Sequence, residues 1–337
     1  MHLTALIESA KHVCCRYRLS AFRPYLEMAG HELEYKRLPR GWWARMRAIN
    51  GLRHTDAVIL QRKLLNSLHL YLLRRAAPLL IYDFDDAIFM RDSYSLKGLH
   101  NPRRLKRFRA IVGASDVVVA GNGFLKDQAS AVCSPEHVHV VPTCVEPGRY
   151  PLAGHTRNGA GVQLVWVGSR STLHGIMAMQ PILTHIHWRW PGIQLKLICD
   201  RFPQLLGMPV IPCVWSDPTE AQELAAADIG MSWVPDDLWS RGKCGLKVLQ
   251  YMAAGLPVLA NPVGVQADMV RHGENGFLVE TPDQWAEAVG RLAHDPELRR
   301  RMGEAGRRRV EKDFGVAVGA ARWVSLLQNL KRRRGAA

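Results

Sequence analysis

The sequence lacks several features that identify well-known classes of protein. It has no run of about 18 apolar residues, so a membrane-spanning helix is not expected. Only two of its seven cysteines, Cys14 and Cys15, lie close together, which gives neither a disulfide framework nor the spacing of a zinc site. The fragment GNG at 121–123 lacks the third glycine of a dinucleotide fingerprint, and no Walker-type phosphate loop is present. The absence of these two glycine motifs argues against NAD-dependent and ATP-driven chemistry.

The start of the chain, MHLTALIESAKHVCCRYR, has too short an apolar run and too many polar residues for a signal peptide. We therefore expect a cytoplasmic protein with reduced thiols. Its 337 residues, 47% of them hydrophobic, are enough for two ordinary domains with substantial cores.

Positive charge is in excess, and most of the excess lies in the first third of the chain. Lys and Arg number 45 against 30 Asp and Glu, a net charge of +15. Residues 1–110 hold 21 Lys and Arg against 9 Asp and Glu, a net charge of +12. A basic first domain fits an anionic partner, which could be a lipid surface, a lipid-phosphate acceptor or nucleic acid. The alternative is a solubilising surface in an Arg-rich protein.

Apolar, β-branched segments alternate with segments of helical spacing along most of the chain. Such alternation predicts parallel βαβ units and doubly wound sheets, an α/β fold. The predicted strands are His2–Glu8, Glu32–Tyr35, Ala57–Gln61, Leu79–Tyr82, Val117–Ala120, Val138–Val141, Gln163–Val167, Ile193–Cys199 and Ile229–Val234. Ligands bind beyond the carboxyl ends of the strands in such sheets, so the loops at those ends are the candidate sites.

The stretch RGKCGLKVLQYMAAGLPV at 241–258 is the best candidate for an anion site. Gly245 permits a close backbone approach, and a following helix would present free N–H groups to an anion. Lys243, Lys247 and Gln250 have the i, i+4, i+7 spacing of one helix face. Two ammonium groups and an amide suit a diphosphate with a ribose beyond it, although a solvated basic helix face would show the same spacing.

A second anion site is predicted directly after the strand at 163–167. The strand ends in a turn of small residues that leads into a helix, and helix N-termini bind anions. Arg170 is the one strong cation of this turn, which comprises Gly168, Ser169, Arg170, Ser171 and Thr172. The alternative is that Ser171 and Thr172 only cap the helix.

The run at 228–279, DIGMSWVPDDLWSRGKCGLKVLQYMAAGLPVLANPVGVQADMVRHGENGFLV, resembles the nucleotide-sugar half of a family 4 glycosyltransferase with the GT-B fold. In that family the helix carries two glutamates separated by seven residues, and here those positions are Gly242 and Gln250. The chain is similar instead to a branch with the pattern G-K-C-x-x-K-x-L-Q-Y-M-A. The resemblance implies two Rossmann-like domains facing a cleft, with the donor nucleotide in the second and the acceptor in the first.

The resemblance also implies where the domains divide. The segment VVPTCVEPGRY is similar to the family's interdomain crossover, and the polar GHTRNGAG after it is interpreted as a linker. We therefore expect an acceptor-side domain at 1–153 and a nucleotide-sugar-binding domain at 154–315. The segment 316–337 is expected to be a helix that returns to the first domain, with a basic tail.

Two loops of the first domain are candidate acceptor sites. Asp83, Asp85 and Asp86 in YDFDDA look at first like a metal-binding D-x-D signature, but lysines on the donor helix would make a cation redundant. The resemblance places YDFDDA at the cleft, where Asp85 or Asp86 could position or deprotonate an acceptor hydroxyl, with Asp83 on the acceptor side. A helix N-cap is the alternative. Arg16 and Arg18 resemble an acceptor or phosphate loop, and an exposed basic loop is the alternative.

The expected activity is transfer of a sugar from a nucleotide diphosphate sugar to a hydroxyl of a glycan, lipid-linked or cell-envelope acceptor. The resemblance implies retention of configuration, with no cofactor and no metal. Arg170, Lys243 and Lys247 would stabilise the departing diphosphate, and Gln250 would fix the ribose. The basic first domain is compatible with peripheral contact with the inner, anionic face of the cell membrane. The alternative is a catalytically degenerate scaffold that acts as a basic binding protein, and a nucleic-acid partner is not expected because no recognisable module is present.

Overall fold

Short strands rich in Val, Ile and Leu build the framework of this protein. The computed structural model describes residues 1–52 and 54–335, and in this part of the chain twelve strands form two six-stranded parallel sheets. The predicted α/β class with two doubly wound parallel sheets is thereby confirmed.

Each sheet belongs to its own compact unit. Unit 1 comprises Met1–Cys144, Asp237–Cys244 and Val316–Ala337, and unit 2 comprises Val145–Asp236 and Gly245–Gly315. The last two residues of the predicted 316–337 segment lie outside the described residues. The polar stretch interpreted as a linker lies within unit 2, where His155 is buried and its Nε2 lies 2.9 Å from the Gly255 carbonyl oxygen. The chain changes units between Cys144 and Val145.

The sheet of unit 1 has the strand order β2-β1-β3-β4-β5-β6, and all neighbouring strands are parallel. Its strands are β1 (His2–Ile7), β2 (Glu32–Arg37), β3 (Ala57–Gln61), β4 (Leu80–Phe84), β5 (Val117–Ala120) and β6 (Val138–Val140). The helices of this unit before Cys144 are α1 (Val13–Cys15), α2 (Arg23–Met28), α3 (Trp42–Asn50), α4 (Ser67–Ala76), α5 (Pro102–Ala114) and α6 (Gly123–Ser130). A single π-helical turn, Arg16–Ser20, continues α1.

Alternation along β3 shows how this sheet is buried on both faces. Val58 and Leu60 point into the core under α3 to α6, while Ala57 and Ile59 point into the opposite core. The opposite core contains Trp323 of the last helix, Val316–Gly335. Because helices cover both faces, all five residues of β3 are buried.

The sheet of unit 2 has the strand order β12-β11-β10-β7-β8-β9, again all parallel. Its strands are β7 (Gln163–Val167), β8 (Gln194–Cys199), β9 (Val210–Val214), β10 (Ile229–Ser232), β11 (Val258–Ala260) and β12 (Gly276–Leu278). The strand order reverses direction between β7 and β10, and a crevice for a ligand forms beyond the carboxyl ends at such a point.

The helices after β7 continue the numbering, all but α10 and the last one belong to unit 2, and the last helix belongs to unit 1. They are α7 (Leu173–Ala178), α8 (Gln180–Arg189), α9 (Glu220–Ala225), α10 (Leu238–Arg241, in the unit 1 segment), α11 (Leu246–Ala253), α12 (Val265–Met269), α13 (Pro282–His294) and α14 (Pro296–Arg309). A π-helical turn, Val310–Phe314, precedes α15 (Val316–Gly335), which packs against α2 in unit 1.

Local sequence signals account for several element boundaries. A capping box fixes the start of α13, because the Gln284 N–H donates to Thr281 Oγ1 at 3.2 Å and the Thr281 N–H donates to Gln284 Oε1 at 3.2 Å. β9 was not expected from the sequence, because Pro212 interrupts it. Proline removes a backbone donor, and β9 tolerates it because this strand lies at the edge of the sheet.

The net charge divides unequally between the units. Unit 1 holds 29 Lys and Arg against 13 Asp and Glu, a net charge of +16, and unit 2 holds 16 against 17, a net charge of −1. The basic character expected for the first domain therefore belongs to unit 1 alone. Among the described residues, none of the helices combines the length and apolarity needed to cross a membrane.

Candidate functional site

The first of the three aspartates, which lies within β4, is a structural residue. Asp83 is completely buried and accepts hydrogen bonds from the Arg18 guanidinium, at 2.6 Å from Nη2 and 3.1 Å from Nε. Arg18 Nη1 also donates to the Val141 carbonyl at 2.8 Å. Burial opposes the charge of Arg18, but the Asp83 carboxylate outweighs this and raises the pKa of Arg18. The prediction that Arg18 and Asp83 contact an acceptor is therefore corrected, because each side chain is enclosed and satisfied by the other.

Asp85 and Asp86 lie beside two cations. The Arg62 guanidinium is 3.3 Å from Asp85 Oδ1 and 3.0 Å from Asp86 Oδ2, and Lys243 Nζ lies 3.2 Å from both oxygens of Asp86. Burial alone would raise the pKa of Asp85, but the guanidinium groups of Arg62 and Arg18 hold it below its usual range. Both carboxylates are mostly buried. Two buried negative charges at the end of a strand are stable only when cations pair with them, and Arg62 pairs with both.

Arg62 was missed by sequence reasoning, although it directly follows the predicted strand at 57–61. It is one of three non-glycine residues with positive φ among the described residues, with φ of 56°. Such a conformation is costly for a side chain that is not glycine, and it persists where surrounding contacts fix it. Here the contacts are the two carboxylates and Cys14 Sγ, to which Nη1 donates. β3 and β1 are the strands at which the order of this sheet changes direction, so Arg62 stands at the expected ligand position of unit 1.

Lys243 reaches Asp86 because the segment Asp237–Cys244 packs into unit 1. Asn122 Nδ2 donates to the Lys243 carbonyl at 2.9 Å, and Cys244 Sγ donates to the Asp85 carbonyl at 3.2 Å. The Lys243 ammonium also lies 3.4 Å from the centre of the Trp239 ring, a cation–π contact. A side chain at Gly242 would have no room, because an added Cβ would come within 2.7 Å of the Ala87 Cβ.

A cavity of about 430 Å³ opens beside these charges, wholly within unit 1. Asp86 and Arg62 border it together with two further arginines of α5, Arg104 and Arg107. The rest of its wall is mainly apolar, formed by Leu64, Ile88, Met90 and Trp239, with Asp92. The cavity therefore offers a carboxylate, a cationic side and an apolar wall to one ligand. Arg16, the remaining predicted acceptor residue, lies outside this lining, with its guanidinium 5.3 Å from the Tyr17 ring.

In unit 2 the predicted donor helix begins later than the sequence indicated. α11 starts at Leu246, and Gly245 precedes it in the left-handed conformation with φ of 64°. The prediction that Lys243 lies on this helix is wrong, because the left-handed turn at Gly245 separates it from the helix. Lys247 does lie in the first turn of α11. Its ammonium group is 3.9 Å from the centre of the Trp166 ring on β7.

Trp166 brings two of the predicted anion sites together. The turn after β7 lies against the same ring, since a Cβ added at Gly168 would come within 2.2 Å of the Trp166 side chain. Lys247 and the turn at 168–172 therefore share one aromatic neighbour at the carboxyl end of β7. This is also the strand at which the order of the unit 2 sheet changes direction.

The turn after β7 has much of its backbone already engaged. Thr172 Oγ1 accepts from the Ser169 N–H at 3.1 Å, and Asp200 Oδ1 accepts from the Arg170 N–H at 2.6 Å. That backbone hydrogen bond lowers the pKa of Asp200. Ser169 and Ser171 share a hydroxyl hydrogen bond of 2.9 Å. Thr172 thus caps this turn through the Ser169 N–H, Ser171 bonds to the Ser169 hydroxyl, and the exposed Arg170 side chain supplies the cation of the turn.

Gln250 is buried, in contrast to the solvent-facing position expected for it. Its Nε2 donates to Glu220 Oε1 at 2.7 Å and lies 3.4 Å from the Tyr150 hydroxyl. Glu220, the first residue of α9, was not among the site residues predicted from the sequence. It places a buried carboxylate directly beside the glutamine.

Comparison of the sequence with known proteins finds similarity in the second half of the chain. Residues 238–309, which include α11, match the family model described as glycosyl transferases group 1. The D-inositol 3-phosphate glycosyltransferase of Streptomyces griseus subsp. griseus is 36% identical over 180 residues, which cover 42% of this chain and 38% of that protein. The chain thus spans well under half of that relative's own length.

The likeness to solved structures extends over nearly the whole chain. Sucrose-phosphate synthase from Thermosynechococcus elongatus has a TM-score of 0.76 at 16% identity, covering 98% of this chain and 99% of its own. Anabaena Alr3699/HepE, in complex with UDP and glucose, has a TM-score of 0.68 at 15% identity, covering 98% of this chain and 100% of its own. At these identities the likeness establishes the GT-B class of fold.

Proposed function

We propose that this protein is a glycosyltransferase that moves a sugar from a nucleotide diphosphate sugar to an acceptor hydroxyl. The observation that carries the proposal is the position of Lys247. It lies in the part of the chain that matches the glycosyl transferases group 1 model, in the first turn of α11, and its ammonium group lies over Trp166 beside the Gly168 turn. A cation and a glycine turn at the carboxyl end of β7 suit the diphosphate of a nucleotide.

The donor would be bound within unit 2. Lys247 and Arg170 would stabilise the negative charge that develops on the departing diphosphate, the effect that contributes most when the leaving group is an anion. These side chains supply the charge that a metal ion provides elsewhere, which supports metal-independent transfer. Gln250 and the adjacent Glu220 form a polar pair suited to ribose hydroxyls. Because Anabaena Alr3699/HepE is described in complex with UDP and glucose, UDP-glucose is the first donor to test.

The acceptor would enter the cavity of unit 1. Asp86 borders this cavity and stands as the group that orients or deprotonates the acceptor hydroxyl, with Asp85 behind it. The apolar wall and the arginines Arg104 and Arg107 suit an acceptor that carries both an apolar part and an anionic group, such as a lipid-linked phosphate. Assignment to family 4 and retention of anomeric configuration belong to this proposal, on the strength of the GKCxxKxLQYMA pattern.

Glycine at position 242 does not count against activity. Its Cα faces Ala87, where no side chain fits. The local packing of this protein therefore requires glycine at the position where the two-glutamate pattern has its first glutamate. The carboxylate of Glu220 lies beside the position of the second glutamate. An acidic group is therefore still present near the predicted ribose position.

The direct test is incubation of the purified protein with radiolabelled UDP- and GDP-sugars and a membrane extract as the source of acceptors. We expect label to move from one donor into the extract, and Asp86→Asn to reduce that transfer by about 100-fold or more without weakening UDP binding. Asp127→Asn, which changes an exposed carboxylate of unit 1 outside this cavity, is the matched control. Absence of transfer from every donor, together with absence of UDP binding, would instead favour a basic binding protein on this scaffold.

A further inference from the structure

Three neighbouring helices of unit 1 form a surface that carries only one sign of charge. α3, α4 and α5 contain nine Lys and Arg residues and no Asp or Glu. α3 packs against α4, and α4 packs against α5. The cations are Arg45, Arg47, Arg74, Arg75, Arg103, Arg104, Lys106, Arg107 and Arg109. We call the outer face of these helices the α3–α5 surface.

Large apolar side chains are exposed on the same surface. Trp43 is 72% exposed, Tyr71 57% and Leu68 46%, although the unit has a full core beneath them. Trp42 is also exposed and meets Trp43 edge-on, with the ring centres 4.4 Å apart. A soluble domain gains nothing from exposing two tryptophans and a tyrosine within one helix pair, so the feature calls for a partner.

The aromatic and cationic parts of the surface are joined by direct contacts. His69 on α4 lies 3.2 Å from the Trp42 carbonyl oxygen on α3, which fixes these two helices together. On α4 the Arg75 guanidinium lies 5.8 Å from the centre of the Tyr71 ring. On the other side, Arg45 of α3 lies near Arg107 of α5. Burial is the main cause that lowers the pKa of Arg45, and the positive charge of Arg107 lowers it further.

Most of the positive charge on α5 is not compensated within unit 1. In the part of the chain that the structure describes, no carboxylate lies within 4 Å of the charged groups of Arg103, Lys106 or Arg109, all three of which are exposed. By contrast, the exposed arginines of α14 in unit 2 pair with Glu297 and Glu304. The excess charge of unit 1, +16 against −1 for unit 2, therefore includes a group of exposed cations on α5 that no carboxylate of the described residues compensates.

We propose that the α3–α5 surface docks the protein on a bilayer of anionic lipids, with Trp43, Tyr71 and Leu68 entering the interface and the cations of α5 facing the headgroups. Trp and Tyr rings favour the boundary between headgroups and acyl chains, and each Lys or Arg near an anionic surface adds attraction. The combination of an apolar edge and an uncompensated basic face is typical of a protein that lies on a membrane without spanning it.

The geometry favours a lipid surface over RNA. Binding of single-stranded nucleic acid relies on open aromatic faces on which bases stack. Here Trp42 and Trp43 pack edge to face against each other, with an interplanar angle of 89°, and the Tyr71 ring lies under Arg75. Two of these three rings are therefore engaged with each other and the third with a cation, an arrangement that suits insertion into an apolar layer better than stacking of successive bases.

The docking surface also borders the cavity of unit 1. Arg104 and Arg107 of α5 line that cavity together with Asp86. An acceptor anchored in the membrane could then reach Asp86 while its lipid part stays in the bilayer. This last step rests on the proposed function, whereas the docking itself does not.

The docking is tested with the full chain by co-sedimentation with vesicles. One set contains phosphatidylcholine only, and the other contains about 30% phosphatidylglycerol, which supplies the negative surface. We expect binding to the anionic vesicles to be at least about 10-fold tighter than to the neutral ones, and to be lost at about 0.5 M NaCl, where charges are screened within a few ångströms. Equal binding to both vesicles, or binding to neither, would overturn the proposal.

Two variants locate the surface. Reversal of three charges in Arg103→Glu, Lys106→Glu and Arg109→Glu should weaken binding by about 100-fold or more, and Trp43→Ala should weaken it by about 10-fold. The matched control reverses three exposed arginines of unit 2, Arg189, Arg301 and Arg308, and changes net charge equally. Equal losses in the two triple variants would show that net charge alone is responsible and would overturn the assignment.

Two further measurements separate the remaining outcomes. Circular dichroism melting shows whether each variant is folded. If the triple variant does not fold, Trp43→Ala still tests the surface, because Trp43 is exposed and its removal should not unfold the protein. Binding to a labelled single-stranded RNA should be weaker than vesicle binding and unaffected by Trp43→Ala. RNA binding that is tighter than vesicle binding and depends on Trp43 would replace the lipid by nucleic acid. None of these readouts requires sugar transfer, so a failed activity assay leaves them unchanged.

Discussion

Lys243 Nζ lies 3.2 Å from both carboxylate oxygens of Asp86, so this lysine compensates a charge of unit 1 and does not extend the basic face of α11. Lys247, four residues later, lies in unit 2 over the Trp166 ring. Two lysines that the sequence spaces as one pair therefore have different neighbours. Their substitutions should have different effects.

Lys247→Ala should weaken binding of UDP by about 10-fold or more, because a charge-assisted contact to phosphate contributes roughly 1.5–3 kcal/mol. The measurement is isothermal titration calorimetry. Lys97→Ala removes an exposed lysine of unit 1 and should leave the affinity unchanged. Equal effects of the two substitutions would remove Lys247 from the donor site.

Arg62→Ala should destabilise the protein by about 3 kcal/mol, since it leaves two mostly buried carboxylates, Asp85 and Asp86, without their shared guanidinium. The free energy of unfolding is measured by denaturation in urea. The matched control is Lys63→Ala, the next residue, whose partner Glu8 is half-exposed. That control should cost less than about 1 kcal/mol, and a similar loss in both variants would contradict the central role given to Arg62.

Gly245→Ala should destabilise unit 2 by about 1–2 kcal/mol, because a side chain with φ of 64° crowds its own backbone. The added Cβ would also come within 2.6 Å of Met269 Sδ. Gly113→Ala is the control, since no atom lies within 4 Å of its Cβ position and the residue is helical. Removing that glycine should stabilise α5 by about 0.5–1 kcal/mol, and the two melting temperatures should therefore move in opposite directions.

His155 should make unit 2 less stable in mild acid. Its burial lowers its pKa from the ordinary 6.5, so the folded protein keeps the imidazole neutral where the unfolded chain protonates it. The unfolded state then binds more protons, and stability that is complete above about pH 6.5 falls as the pH drops through and below that value. Burial also lowers the pKa of His31 and of His12, so these residues add to the pH dependence of the wild type. The contribution of His155 is therefore obtained by comparing the wild type with a variant at that position.

The variant is His155→Asn, which does not titrate and tolerates the positive φ of 49° at this position. Melting temperatures are recorded between about pH 7 and pH 5. We expect the wild type to lose more stability over that range than the variant does. Parallel curves would show that His155 contributes nothing to the pH dependence.

The fold follows from local patterns to a large extent. Strands such as Ala57–Gln61 and Gln163–Val167 have the predicted bounds, because burial on both faces leaves an uninterrupted apolar run. β9 escapes such a pattern, since Pro212 lowers the β propensity of this segment and the strand is only partly buried at the sheet edge. Helix α11 was expected to begin too early because spacing alone does not show that Gly245 turns left-handed.

The site depends on contacts that spacing does not encode. Arg62 and Lys243 meet Asp86 from positions 24 and 157 residues away along the chain, and only the folded sheet brings them together. Arg18 and Asp83 were chosen as acceptor-side residues because they belong to segments that follow predicted strands. Their complete burial reverses their expected role, however, because two opposite charges that face inward satisfy each other. Glu220 could be found only through its contact with Gln250.

The last helix, α15, completes a core of unit 1 although it is the last part of the chain to be synthesised. Trp323 and Leu327 of α15 fill the same core as Leu3 and Ile59, yet all of unit 2 is made before them. During translation one side of the first sheet would therefore be covered only in part, by side chains such as Phe22 and Leu26, while the second sheet is already complete. A nascent chain arrested before Val316 should expose that apolar side and attract chaperones.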